Sequence, residues 1–188
     1  MKYLIAGLGN IGPEYKNTRH NIGFQILDAF AEASNISFND KRYGFVSEYK
    51  YKSRTFVLLK PTTYMNLSGR AVNYWLQKEK IPVEKLLVLV DDVALPFGTI
   101  RMRAKGGPGG HNGLINIDNV LGRNDYARLR FGIGDDFHKG FQVDYVLGEW
   151  TKEEQRQLPE KIDHCIEMIK SFGTIGVERT MNFFNKRK

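Results

Sequence analysis

The sequence predicts one α/β domain over residues 1–188, a twisted, mixed β-sheet with helices packed on both faces. Three observations carry this. Short apolar or alternating runs interleave with stretches of helical periodicity along the chain. Leu86–Val90 is continuously apolar, as in a strand covered on both faces. No composition break, repeat or linker divides the 188 residues, and that length supports a full core.

Tyr3–Ala6 reads as a short buried strand ending in a glycine turn. A helix is expected from about His20 to Ala33, with Ile22, Ile26, Leu27, Phe30 and Ala31 on one side and Thr18 as its N-cap. Residues 44–50 and 54–60 are two strands joined by a polar turn at Lys52-Ser53, and Pro61 ends the second. The next helix runs from Ser68 to Lys80, before Pro82. Leu86–Val90 leads into Asp91-Asp92. Thr99–Arg103 alternates, Ile100 and Met102 against Arg101 and Arg103; Ala127–Ile133 does the same, Leu129 and Phe131 against Arg128 and Arg130. A helix over about Asn112–Leu121 lies between them. Residues 134–148 read as a long loop with a short strand, and glycines at 134, 140 and 148 would permit a mobile lid. Thr151-Lys152-Glu153-Glu154 is a capping box that opens a helix to about Phe172. A last helix spans about 174–184.

Lys and Arg number 28 against 21 Asp and Glu, a formal net charge of +7. Such a balance favours a polyanionic partner, nucleic acid or an anionic membrane surface, over a merely solvated basic face. The basic end Lys186-Arg187-Lys188 is either an RNA contact or a frayed tail. A single cysteine, Cys165, cannot form an internal disulfide and fits a reducing, cytoplasmic setting. No secretion signal and no membrane-length apolar stretch is present.

Two His-Asn pairs stand beside unusual glycines. His20-Asn21 follows Gly7-Leu8-Gly9-Asn10, and His111-Asn112 closes Gly106-Gly107-Pro108-Gly109-Gly110. Histidine titrates near neutrality and can accept and return a proton there. Gly7-Leu8-Gly9-Asn10-Ile11-Gly12 also fits a dinucleotide-binding pattern. That pattern requires a helix to start inside the glycines and an acid after the next strand, and the sequence offers neither, which argues against a nicotinamide or flavin cofactor. No histidine-carboxylate spacing suggests a metal.

Several blocks resemble the bacterial-type peptidyl-tRNA hydrolase family, in the family's order. They are Gly7–Asn10, Tyr15–Phe24, Pro61–Gly69, Asp91–Pro96, Gly109–Leu114 and Arg128–Gly134. The chain departs from the pattern at Ile11-Gly12-Pro13, where Pro-Gly usually follows the asparagine, and at Ala94, often another acid; Pro108 replaces a different loop residue. The resemblance implies hydrolysis of the ester joining a peptide to the 3′ ribose of tRNA, by a cytoplasmic monomer without a cofactor. Chemically, this needs a base for water and a donor for the oxyanion. His20 is assigned as the base, Asp91 as the carboxylate that holds its other nitrogen, and Asn10 as the oxyanion donor. His111 is the competing base, read here as a structural or substrate-contacting group. Tyr15, Tyr64, Asn66, His111 and Asn112 are the candidate substrate-binding residues. Asn66 and Asn112 have plain readings as helix-start residues. Arg103 and Arg130 resemble the basic residues of the family's clamp on a tRNA phosphate, a role suited to bidentate guanidinium contacts, and Lys105 is a nearby further contact candidate. Tyr64, Met65 and residues 137–145 could line a peptide groove or simply pack. The same fold used as an RNA-binding module without chemistry is the alternative reading.

Overall fold

The computed structural model describes residues Met1–Lys186. Of the basic C-terminal triad, Arg187 and Lys188 lie outside the described residues. Among the described residues seven strands form one sheet: β1 (Lys2–Gly7), β2 (Asn39–Lys41), β3 (Gly44–Tyr51), β4 (Arg54–Pro61), β5 (Leu86–Asp92), β6 (Ile100–Arg103) and β7 (Ala127–Gly132). Their spatial order is β2-β3-β4-β1-β5-β7-β6. The central pairs β4-β1, β1-β5 and β5-β7 are parallel; the outer pairs β2-β3, β3-β4 and β7-β6 are antiparallel. The sheet is therefore mixed, with its parallel part in the middle.

Among the described residues six α-helices complete the fold: α1 (Ile22–Ala33), α2 (Ser68–Lys78), α3 (Asn112–Leu121), α4 (Gln142–Val146), α5 (Lys152–Ile175) and α6 (Val177–Phe184). Side-chain alternation sorts the core into two layers. Ile5, Leu87 and Leu89 join Ile22, Ile26 and Phe30 of α1, Ile166 and Ile169 of α5 and Phe184 of α6. Leu4, Ala6, Val57 and Val88 point to the other side and meet Val72 and Trp75 of α2 and Leu114 and Ile117 of α3. Leu86–Val90 is buried on both faces for this reason. The capping box forms as the sequence predicts: Thr151 Oγ1 accepts from the Glu154 N–H and Glu154 accepts from the Thr151 N–H. Such a cap contributes about 1 kcal/mol.

Two local expectations change, and one side chain goes where its strand pattern does not say. Residues 134–148 hold a short helix, α4, and no strand; the isolated bridge between Thr18 and Glu149 falls just past the segment. Thr18 does not cap α1. Its hydroxyl donates to the Tyr15 carbonyl at 2.8 Å, and a 3-10 turn over Arg19–Asn21 intervenes before the helix. Arg128 is not solvated beside Arg130 but fully buried. It donates to the carbonyls of Gly106, Gly107 and Asn124 at 3.0, 3.4 and 2.6 Å. A guanidinium satisfied by backbone oxygens can occupy a strand face that alternation alone marks as wet.

The early glycines serve packing rather than a dinucleotide. A Cβ on Gly7 would stand 2.3 Å from the Gly23 carbonyl oxygen, and one on Gly23 would stand 2.4 Å from the Leu8 nitrogen. Only glycine at both positions lets α1 lie this close to β1. After Gly12, at φ 115°, the chain enters a 3-10 turn over Pro13–Tyr15, so no α-helix begins within these glycines as a dinucleotide fold requires.

Candidate active site

The parallel strands β1 and β5 end at the same edge of the sheet, and the close α1 contact brings His20 to that edge. Asp91, near the end of β5, is buried, its side chain 4% exposed. His20 Nδ1 lies 2.9 Å from Asp91 Oδ2, and His111 Nε2 lies 3.0 Å from Asp91 Oδ1. One carboxylate thus carries two imidazoles, whose centroids are 4.8 Å apart.

The hydrogen-bond network separates the roles of the two histidines. His111 Nδ1 accepts from the backbone N–H groups of Gly113 and Leu114, at 3.1 and 3.4 Å, and so caps α3. Its proton therefore sits on Nε2 and is donated to Asp91. Neither of its nitrogens remains to take a proton from water. His20 donates from Nδ1 to Asp91, which leaves its Nε2 as an acceptor. Burial alone would raise the Asp91 pKa, but the charges and hydrogen bonds of His20 and His111 outweigh it and hold the carboxyl well below the usual range. Burial likewise pushes His20 down, and the charge and hydrogen bond of Asp91 more than offset this, so His20 is raised.

The fold also places His20, Asp91 and His111 close enough to suggest a metal site, a grouping no sequence spacing reveals. The donor set does not fit one. A metal on His111 Nε2 would force the ring proton onto Nδ1, against two backbone N–H donors.

Asn10, just past β1, is held through its backbone. Asn21 Oδ1 accepts the Asn10 N–H at 2.8 Å, and Asn21 Nδ2 donates to the Asn10 carbonyl at 2.9 Å. Asn21 is buried and adjacent to His20, so one side chain couples the placement of Asn10 to that of the base. The sequence singles out the His-Asn pair but not this bracing role. Arg19, on the other side of His20, is a second residue the sequence did not mark. Its guanidinium lies 4.2 Å from the Tyr145 ring centroid, donates to the Tyr145 carbonyl at 3.1 Å and pairs with Glu154 at 3.1 Å. Residues around α4 are tied in this way to the turn that carries His20.

A cavity of about 310 Å³ opens at the trio. The lining includes His20, Asp91, His111 and Asn112, with Arg130 on one side and Val143 and Val146 of α4 on another. Asn112 is exposed and free for a ligand, since His111, not Asn112, is the cap. Asn66 is exposed on a 3-10 turn before α2, Tyr64 is 78% exposed, and Tyr15 is half-buried in its own turn; none of the three lines this cavity. Arg103 and Lys105 are exposed at the β6 edge, and Arg103 and Arg128 are register partners across β6 and β7. Arg130, two residues further along β7, approaches Asp92 at 3.5 Å and the Gly107 carbonyl at 3.1 Å. Ala94, where the family often has an acid, donates its N–H to Asp92.

The family model for peptidyl-tRNA hydrolase matches residues 4–188. A curated peptidyl-tRNA hydrolase from Bacteroides fragilis is 58% identical over 187 residues, covering 100% of both chains. One from Porphyromonas gingivalis is 58% identical and covers 98% of this chain and 100% of its own. The crystal structure of peptidyl-tRNA hydrolase from Acinetobacter baumannii superposes with a TM-score of 0.92 at 34% identity, covering 99% of this chain and 95% of that one.

Proposed function

Since the chain belongs to the peptidyl-tRNA hydrolase family along its length and in its fold, we propose that its chemistry runs through His20, Asp91 and Asn10. The enzyme hydrolyses peptidyl-tRNA and releases the tRNA. The observation that carries the residue assignment is the division of labour at Asp91: of the two imidazoles it holds, only His20 has a nitrogen left over.

His20 Nε2 takes a proton from water as the water oxygen bonds to the ester carbonyl carbon. Asp91 stabilises the imidazolium and fixes its orientation. The Asn10 amide donates to the carbonyl oxygen as it gains charge, worth about 3–4 kcal/mol for one such donor. Collapse breaks the bond to the 3′ ribose oxygen, which takes the proton back from His20. The products are free tRNA and a peptide with a new carboxyl group. No cofactor enters any step. Asn112, His111, Asn66, Tyr64 and Tyr15 serve the substrate's acyl side, and Arg103, Lys105 and Arg130 hold a tRNA phosphate. We place this activity in one catalytic domain, in a cytoplasmic monomer; among the described residues no helix is long and apolar enough to cross a membrane.

The test compares release of N-acetyl-amino acid from acylated tRNA with release from the same tRNA lacking the acetyl group. Fast cleavage of the acetylated substrate alone is the expected result. Tight tRNA binding with no cleavage would favour an RNA-binding module instead. For the clamp, Arg103→Ala and Arg130→Ala should raise KM for tRNA substrates while sparing short ester mimics. Loss of one phosphate contact should also reduce the salt dependence of binding by roughly one unit of log-log slope. Equal loss on tRNA and on the mimic would refute the clamp.

A further inference from the structure

A second cavity, of about 590 Å³, lies at the same edge of the sheet but on the other side of Asn10. Its walls come from the loop after β1 (Asn10, Ile11, Pro13), from α1 (Phe24) and from the β3-β4 pair (Phe45, Lys60). It shares no residue with the cavity around His20. Ile11 is 48% exposed, an apolar side chain left at the rim.

The charges of this groove are already matched. The Lys60 ammonium pairs with Asp28 and lies 5.7, 4.4 and 5.6 Å from the ring centroids of Phe24, Phe38 and Phe45. Its charge is thereby held by an acid and three aromatic faces. Lys16 and Asp40 are the other charged residues of the lining, one of each sign. Two cations and two anions leave no net field for a phosphate chain. Most of what remains open to a ligand is apolar surface, in a volume typical of ligand sites.

Strand order decides which part of the substrate can arrive there. From one end of the sheet to the other, the groove sits over β3, β4 and β1, the His20–Asp91 pair at β1 and β5, and Arg130 and Arg103 on β7 and β6. An RNA held at β7 and β6, with its ester at His20, leaves the β1-β4-β3 side to the acyl chain. An extended peptide advances about 3.3–3.6 Å per residue. From an ester carbonyl at Asn10, the next residue upstream already reaches the groove.

We propose that this groove is a peptide subsite that takes an apolar side chain of the residue upstream of the ester-bearing one. The inference rests on the hydrolase reading above. It assigns Phe45, Phe24 and Ile11 a role in discriminating among peptides, separate from the ester chemistry.

The experiment uses three substrates on one tRNA: acetyl-Phe-Ala, acetyl-Gly-Ala and acetyl-Ala. Wild type should cleave the Phe substrate with a kcat/KM about tenfold above the Gly substrate, the scale on which hydrophobic pockets discriminate. Phe45→Ala, and independently the loop variant Ile11→Ser, should bring the two towards parity and leave acetyl-Ala-tRNA unchanged. A wild-type ratio near one, with acetyl-Ala-tRNA cleaved normally, would overturn the subsite alone. Equal loss on all three substrates in both variants would give the groove to the tRNA 3′ end and also overturn it. Absence of cleavage of acetyl-Ala-tRNA by wild type would instead remove the hydrolase reading beneath it.

Discussion

Replacing Asp91 by asparagine is expected to reduce kcat by about 10⁴-fold, the scale seen when a catalytic histidine is held in the wrong tautomer. The amide introduced in place of the carboxylate can donate to His20 Nδ1, and His20 then keeps its proton on Nε2 and ceases to be a base. The pH profile gives a second readout. The base must be neutral, so kcat/KM in the wild type rises with pH through the His20 pKa, which Asp91 lifts above the ordinary value of about 6.5. In Asp91→Asn the contributions that raise it are gone and the lowering by burial remains, so the residual activity should rise at lower pH. A profile that keeps its wild-type midpoint would contradict the His20–Asp91 assignment. Stability follows the same linkage. Asp91 is depressed in the fold, so it stabilises above its unfolded pKa and that contribution is lost as pH falls through its folded value. His20 is raised, so its contribution is complete below its unfolded pKa and is lost as pH rises through its folded value. Below pH about 4, where the Asp91 contribution is lost, denaturant midpoints of Asp91→Asn should therefore fall less on acidification than those of the wild type, whereas nearer neutrality, where His20 without its carboxylate resists protonation, they should fall more.

His20→Ala should cost about 10²–10⁴-fold in kcat/KM on N-acetyl-aminoacyl-tRNA, the usual worth of a general base. His111→Ala should cost less in kcat and more in stability. It removes the side chain that accepts from the Gly113 and Leu114 N–H groups, a cap worth about 1 kcal/mol, together with one of the two donors to Asp91. Single-turnover rates and thermal melts on both variants separate the two histidines. If His111→Ala proved the more damaging in the chemical step, the base would have to be reassigned.

Much of the architecture is legible along the chain because burial here follows simple periodicities. Leu86–Val90 reads as a covered strand, and Ile22, Ile26 and Phe30 read as one helix face; both pack as expected. The α3 boundaries and the capping box at Thr151 are local chemistry and form locally. Where long-range contacts decide, the pattern fails. Arg128 looks solvated because alternation cannot register the carbonyls of Gly106, Gly107 and Asn124 waiting for it. The helix over Gln142–Val146 carries no capping signal, and its neighbourhood is held by Arg19, more than a hundred residues away in sequence. Tyr64, Asn66 and Tyr15 stand in the blocks that carry the family resemblance, and none of the three lines the cavity around His20.

The order of amino acids is enough for the layers of the fold, the family resemblance, and the candidates from which the proposed chemistry draws. Local periodicity and short motifs carry that much, since they depend on neighbours along the chain. How these side chains are partnered is decided only in three dimensions. His20 and His111 are both histidines before asparagines beside glycines, and nothing local distinguishes their nitrogens. The distinction comes from one buried carboxylate at the end of β5 and two N–H groups at the start of α3, which leave an acceptor on His20 and none on His111. Proton placement follows from hydrogen-bond partners in space, and those partners exist only once the strands and helices have met.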